Sequence, residues 1–157
     1  MKIVLLLVGK TTDKRLASLC EDYVDRLSHY VSMEVRILPE LKNAKSLSEA
    51  QQKTAEGELI LKALQPSDLV VLLDEHGREE TSVDFAQTLQ KYMNAGQQRI
   101  VFVAGGPYGL SDAVKARRNA LFALSRLTFS HQMVRLIFLE QLYRAFTILR
   151  GEPYHHA

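Results

Sequence analysis

A chain of 157 residues with a net charge of +2, 46% hydrophobic residues and 24% charged residues can form one domain with a sizeable core, and this composition excludes a disordered protein. No apolar run reaches the ~18 residues of a membrane-spanning helix, so we expect no membrane partner. The single cysteine, Cys20, excludes a disulfide framework and a cysteine zinc site, so we expect no metal and a reducing, cytoplasmic compartment.

Strand and helix patterns alternate along the first half of the chain. Lys2–Val8 predicts a buried strand and not a signal peptide, because a charged segment without a small-residue cleavage site follows it. The next predicted elements are a helix over Asp13–Ser28 capped by Asp13, a strand over Val31–Leu38 and a helix over Ser48–Leu64.

The second half continues the alternation. We predict strands over Leu69–Leu73, Ile100–Ala104 and Ala120–Leu124, and helices over Ser82–Met93, Ser111–Arg117 and Gln132–Leu149. This order indicates an α/β fold with a mostly parallel sheet and helices on both faces, in a single domain over residues 1–157. In such sheets ligands bind beyond the carboxyl ends of the strands.

Two segments at these strand ends are candidate ligand contacts. Gly105–Gly109 lets the backbone approach a ligand closely, or alternatively forms a tight turn that requires positive φ. Leu124–Phe129 combines apolar and hydroxyl side chains, a mixture that suits an adenine ring; the alternative is an ordinary loop that contributes to the core.

The last predicted helix is apolar around nearly its whole circumference, which favours a dimer interface in a chain of this length. Glu140 and Arg144 are spaced to pair, and Arg135 and Arg144 are alternatively placed to face phosphate. Residues 111–157 are net positive, which favours an anionic partner or simply a solvated helical face. The acid–base candidates are His131, His155 and His156.

Four segments in this order resemble the RlmH family of large-subunit rRNA pseudouridine-N3 methyltransferases, which belongs to the SPOUT superfamily. They are Ala-Gly-Gly-Pro-Tyr-Gly-Leu at 104–110, Leu-Ser-Arg-Leu-Thr-Phe-Ser-His-Gln at 124–132, Glu-Gln-Leu-Tyr-Arg-Ala-Phe at 140–146 and Pro-Tyr-His at 153–155. The resemblance extends over the whole chain.

This resemblance implies a C-terminal trefoil knot, S-adenosylmethionine as methyl donor and a homodimer with its sites at the subunit interface. The target it implies is N3 of a pseudouridine in a 23S rRNA hairpin, which we expect to be recognised within the assembled ribosome because the chain is small and only weakly basic. Carried over by position, the donor-binding residues are Leu73, Gly105, Leu124, Ser125, Arg126, Leu127, Thr128 and Phe129.

The same resemblance directs attention to the C-terminal tail. N3 of pseudouridine is a weakly acidic imide nitrogen, so its proton must be removed or the resulting anion stabilised. Tyr154 and His155 are our candidates for placing the base, and Arg144 or a backbone amide for stabilising the developing oxyanion. We expect the tail to be mobile until the substrate binds.

The chain departs from the family pattern twice. Ser130 stands where the family commonly has proline, and we expect it to cap the last helix instead. His156 replaces a basic tail residue, which removes a permanent positive charge that would favour RNA.

Two other classes of function stay open. One is a nucleotide-binding α/β protein of flavodoxin-like or regulatory type, and the other is a non-catalytic RNA-binding ribosome assembly factor. Binding of S-adenosylmethionine would separate the methyltransferase from both.

Overall fold

Five strands form one parallel sheet in the computed structural model, which describes residues 1–156. The strands are β1 Lys2–Val8, β2 Ser32–Leu38, β3 Leu69–Glu79, β4 Arg99–Ala104 and β5 Ala120–Ala123. Their order across the sheet is β2–β1–β4–β3–β5, and all four neighbouring pairs are parallel. The predicted α/β class is therefore confirmed, and the carboxyl ends of all strands meet at one edge.

Four α-helices connect the strands and a fifth follows the last strand: α1 Lys14–Leu27, α2 Glu49–Ala63, α3 Ser82–Asn94, α4 Asp112–Arg117 and α5 Met133–Leu149. Their starts follow the local sequence. The Asp13 carboxylate accepts hydrogen bonds from two backbone amides of α1, and the Ser48 hydroxyl begins α2 as half of a capping box with Gln51. Ser111 caps α4 through the amide of Val114, so the caps expected at Asp13 and Ser111 are confirmed.

The helices cover both faces of the sheet and enclose two separate cores. Alternate residues of β1 point to opposite faces of the sheet. Ile3, Leu5 and Leu7 lie in the core with α1, α3 and α5, whereas Val4, Leu6 and Val8 lie in the core with α2 and α4. This double burial explains why β1 and β4 are continuous apolar runs without alternation. No helix among residues 1–156 is long and apolar enough to cross a membrane.

Helix α5 is central to the first core. It packs against α1 and α3, and Phe138, Leu139 and Leu142 are fully buried there. The opposite side of the helix keeps half-buried apolar residues, and at its start Met133 is exposed. The all-round apolar pattern is thus explained in part by burial within the chain itself, and the dimer interface stays a prediction.

Strand β3 is longer than the sequence predicts. We expected it to end at Leu73, but it continues to Glu79 and pairs with β5 after a register shift between Leu73 and Arg78. At Gly77 an added Cβ would lie 2.7 Å from the backbone nitrogen of Phe122. Strands β3 and β5 therefore approach too closely here for any side chain at position 77. The extension is polar and largely exposed, and therefore has no hydrophobic period to reveal it. The trefoil knot stays a prediction.

Candidate functional site

A cavity of about 510 Å³ lies at the carboxyl ends of β3, β4 and β5. This volume falls within the ~300–1,000 Å³ typical of cofactor sites. Seven of the eight predicted donor-binding residues line it: Leu73, Gly105, Leu124, Ser125, Leu127, Thr128 and Phe129. The exception is Arg126, whose side chain is 85% exposed and lies 3.7 Å from the Glu79 carboxylate. The structure thus brings together residues that are far apart in the sequence.

The turn Gly105–Gly109 forms one wall of this cavity. The amide of Gly109 donates to the carbonyl oxygen of Gly106 at 3.1 Å, and Gly109 has a φ of +84°. A Cβ at Gly105 would lie 3.0 Å from the Gly109 carbonyl group. The turn therefore requires glycine for its own backbone, as one of the two interpretations holds. Its place in the cavity wall also leaves ligand contact available.

A buried carboxylic acid supports this turn from behind. Glu56, on α2, places Oε1 2.7 Å from the position that a Cβ of Gly106 would occupy. Gln52 donates to its Oε2 at 3.3 Å, and Oε1 has no hydrogen-bond partner among the described residues. Burial raises the pKa of Glu56 above its ordinary value. The sequence analysis did not single out this residue, since one acid on a mixed helix carries no signal.

The mouth of the cavity is polar, and the sequence analysis missed most of these groups. Asp74 accepts a hydrogen bond from the backbone amide of His76 at 2.8 Å and also contacts the His76 ring at 2.9 Å. The Thr128 hydroxyl donates to Glu75, which ties the loop after β5 to the extension of β3. Further lining residues that the sequence did not indicate are Lys53 and Lys115.

The start of α5 closes another side of the cavity. The Ser130 hydroxyl accepts a hydrogen bond from the amide of Met133 at 3.0 Å, but the cap position of α5 is Gln132, whose side chain makes no cap hydrogen bond. His131 lines the cavity, and burial, followed by the charge of Arg135, lowers its pKa. Arg135 itself is buried and cannot face phosphate, so that alternative is wrong for this residue.

The predicted catalytic residues form a second cluster, around Glu140. Arg144 pairs with the Glu140 carboxylate at 2.6 Å, and the Tyr154 hydroxyl donates to the same oxygen at 3.1 Å. His155 receives a hydrogen bond at Nδ1 from Arg144 at 3.1 Å; because a guanidinium only donates, the neutral ring then carries its proton on Nε2. The predicted Glu140–Arg144 pair is therefore confirmed.

This cluster lies between α5 and the C-terminal tail, and its residues do not line the cavity of their own chain. Tyr154 packs edge-on against Tyr143, and its hydroxyl lies 3.5 Å from that of Tyr23. Burial and these hydrogen bonds raise the pKa of Tyr154, so its hydroxyl stays protonated at neutral pH. The tail is thus anchored to α1 and α5, in contrast to the mobile tail that we expected.

Comparison with known proteins identifies the family. The family described as "Predicted SPOUT methyltransferase" matches residues 1–155. The chain belongs to this family. Its methyltransferase class, expected from the resemblance, is thereby confirmed, and S-adenosylmethionine is the methyl donor.

Relatives and a solved structure agree with this assignment. Proteins named "Ribosomal RNA large subunit methyltransferase H" are 58% identical in Porphyromonas gingivalis and 56% identical in Christiangramia forsetii, each over 156 residues and 99% of both chains. A probable methylase family protein from Haemophilus influenzae shares the fold with a TM-score of 0.53 at 15% identity, over 99% of this chain and 70% of that one.

The cavity suits the donor that the family uses. Apolar side chains of Leu73, Leu124 and Phe129 offer surfaces for an adenine ring, and the glycine turn exposes backbone beside them. Within residues 1–156 there is no group of three or more His, Cys, Asp or Glu residues arranged to hold a metal ion.

Proposed function

We propose that this protein transfers a methyl group from S-adenosylmethionine to N3 of a pseudouridine in 23S rRNA of the large ribosomal subunit. The observation that carries the proposal is the cavity at the strand ends, built from the glycine turn and the loop after β5 in a chain of the SPOUT family. The large-subunit rRNA methyltransferases that are 52–58% identical over nearly the whole chain support the choice of substrate. A cytoplasmic location follows from this substrate.

The donor-binding residues act through shape and backbone. Leu73, Gly105 and the loop from Leu124 to Phe129 bind the donor, except that Arg126 does not line the cavity and its side chain is 85% exposed. When bound there, the donor supplies an electrophilic methyl group on a sulfonium. Holding this methyl in line with the attacking nitrogen lowers the entropic part of the barrier.

We propose that the tail completes the site across a homodimer. The cluster of Arg144, Tyr154 and His155 does not line the cavity of its own chain, which supports a contribution to the cavity of a second copy. The half-buried apolar side of α5, which carries Arg144, is the surface that we assign to this dimer. A substrate base would then lie between the donor of one subunit and the tail of the other.

The tail residues position the base and stabilise charge rather than accept its proton directly. His155 has Nδ1 occupied by Arg144, so it presents its Nε2–H as a hydrogen-bond donor, whereas the Tyr154 hydroxyl already donates its proton to Glu140 and presents an acceptor to the substrate. Arg144 supplies the permanent positive charge that an imide anion needs on its neighbouring oxygen. Solvent would take the N3 proton, and the resulting anion would attack the methyl carbon as the carbon–sulfur bond breaks, leaving S-adenosylhomocysteine.

Mass spectrometry and methylation assays test the proposal. We expect 23S rRNA from cells that lack this gene to have lost a single methyl group from one pseudouridine. With purified protein, we expect the rate to be highest on the assembled ribosome, lower on the free large subunit and lowest on the isolated hairpin. Equal rates on all three would show that local contacts suffice, and unchanged rRNA would contradict the assignment.

A further inference from the structure

A guanidinium is buried without a carboxylate beside the start of α5. Arg135 is 2% exposed, and among the described residues it takes part in no ion pair. It instead donates to three oxygens: the Val8 carbonyl at 2.9 Å, the Thr11 hydroxyl at 3.0 Å and the His131 carbonyl at 3.1 Å. Burial of a charge is costly, and an apolar residue would fill this space without that cost. Stability alone therefore does not explain why a buried arginine makes these three hydrogen bonds.

Gln132 makes the same connection one turn earlier. Its Oε1 accepts a hydrogen bond from the amide of Thr12 at 3.0 Å, and its Nε2 donates to the carbonyl of Lys10 at 3.3 Å. Together, Gln132 and Arg135 fasten the first turn of α5 to residues 8–12, which are the last residue of β1 and the four that follow it. Neither residue appears in the cavity wall, and neither do residues 8–12.

Their neighbours do line the cavity. His131 precedes Gln132, and Val134 precedes Arg135, so the fastened turn is itself part of the wall. Strand β1 pairs with β4 in a register that sets Leu6 opposite Val103, which brings Val8 level with the start of the glycine turn. The hydrogen bond from Arg135 to Val8 thus links the α5 side of the cavity to β1, the neighbour of the strand that runs into the glycine turn.

We propose that Arg135, together with Gln132, is a positioning residue that sets the width of the donor cavity by holding His131 and Val134 against the end of β1. The proposal rests on the donor site described above. It makes the affinity for S-adenosylmethionine depend on a segment that does not touch the donor. Arginine suits this role because its planar fork reaches three acceptors at once, which the single ammonium of lysine cannot do.

Arg135→Lys and Thr11→Val provide the test, with Arg15→Lys as the control. Arg135→Lys keeps the buried positive charge but loses the planar guanidinium and its several donors. Thr11→Val removes only one of the three acceptors. The Arg15 side chain is 90% exposed and bonds only to Asp13, so the same chemical change there should be silent. By calorimetry we expect the donor affinity to fall about tenfold in Arg135→Lys, about threefold in Thr11→Val and less than about twofold in Arg15→Lys.

Hydrogen exchange without donor separates positioning from general stability. We expect faster exchange in Arg135→Lys to be confined to peptides covering residues 8–12 and 124–134, with the peptides of β4 unchanged. Donor affinity within twofold of the wild type, or exchange that rises equally throughout the sheet, would overturn the proposal. A wild-type chain that binds no S-adenosylmethionine would instead contradict the donor site, and the exchange pattern would still decide the role of Arg135.

Discussion

At the residue scale, two glycines share a left-handed backbone conformation and can be compared directly by substitution. Gly109, in the cavity wall, has a φ of +84°, and Gly96, after α3, has a φ of +77°. At neither position would an added Cβ meet another atom within 4 Å, so alanine is opposed by backbone strain alone. We predict that each substitution by alanine lowers the free energy of unfolding by about 1 kcal/mol.

Only one member of this pair should affect the donor. Gly109→Ala shifts the turn that lines the cavity, so calorimetry should show weaker binding of S-adenosylmethionine, whereas Gly96→Ala should bind like the wild type at equal loss of stability. Equal donor affinity in the two variants would mean that the turn does not contact the donor. Gly105→Val is a less selective test, since its side chain would collide with the backbone of Gly109 and move the whole turn.

His131 gives a prediction that depends on pH. Burial and, secondarily, the charge of Arg135 lower its pKa below the usual 6.5, so the folded state binds a proton less readily than the unfolded chain does. The stability linked to this group is complete above about pH 6.5 and is lost as the pH falls through the lowered folded value. We predict that His131→Asn reduces the fall in the free energy of unfolding below about pH 6.5 in urea titrations. An unchanged slope would show that the ring is not protected from protonation.

At the scale of elements, local sequence predicted what local physics determines. The strand cores, the caps at Asp13 and Ser111 and the grouping of Leu73 with Gly105 followed from hydrophobic period, capping chemistry and the common edge of a parallel sheet. The resemblance supplied the donor-binding residues of the loop after β5. None of these features required knowledge of a distant contact.

The elements that the sequence did not predict depend on distant contacts. The polar extension of β3 exists because β5 pairs with it about 45 residues later, and Gly77 permits that approach. Arg135 looked like a surface residue because its partner Val8 lies 127 positions away. The tail looked free because Pro153 and Gly151 favour irregular backbone, yet Tyr154 finds its partners on two helices.

At the scale of the whole molecule, the donor cavity and the tail cluster are separate, and our proposal joins them across two subunits. The donor cavity and the tail cluster share no residue, and a methyl transfer needs both within reach of one base. Burial of the half-buried apolar side of α5 against the same surface of a second subunit would supply the free energy of association. We therefore expect a dimer at micromolar concentration in sedimentation, and a monomer would leave the two clusters unconnected.

Mixed dimers test this arrangement directly. A chain with Gly105→Val lacks the donor cavity but keeps its tail, and a chain without residues 154–157 lacks the tail but keeps its cavity. If each site combines one cavity with the tail of the partner, both homodimers should be inactive on ribosomes, while the mixed dimer regains one intact site of two. The regained rate should approach half that of the wild type per dimer, and the tail-deleted homodimer should still bind S-adenosylmethionine in calorimetry. Absence of recovery in dimers shown by mass spectrometry to be mixed would mean that the tail acts on its own subunit, after leaving the contacts with Glu140 and Tyr23 that hold it here.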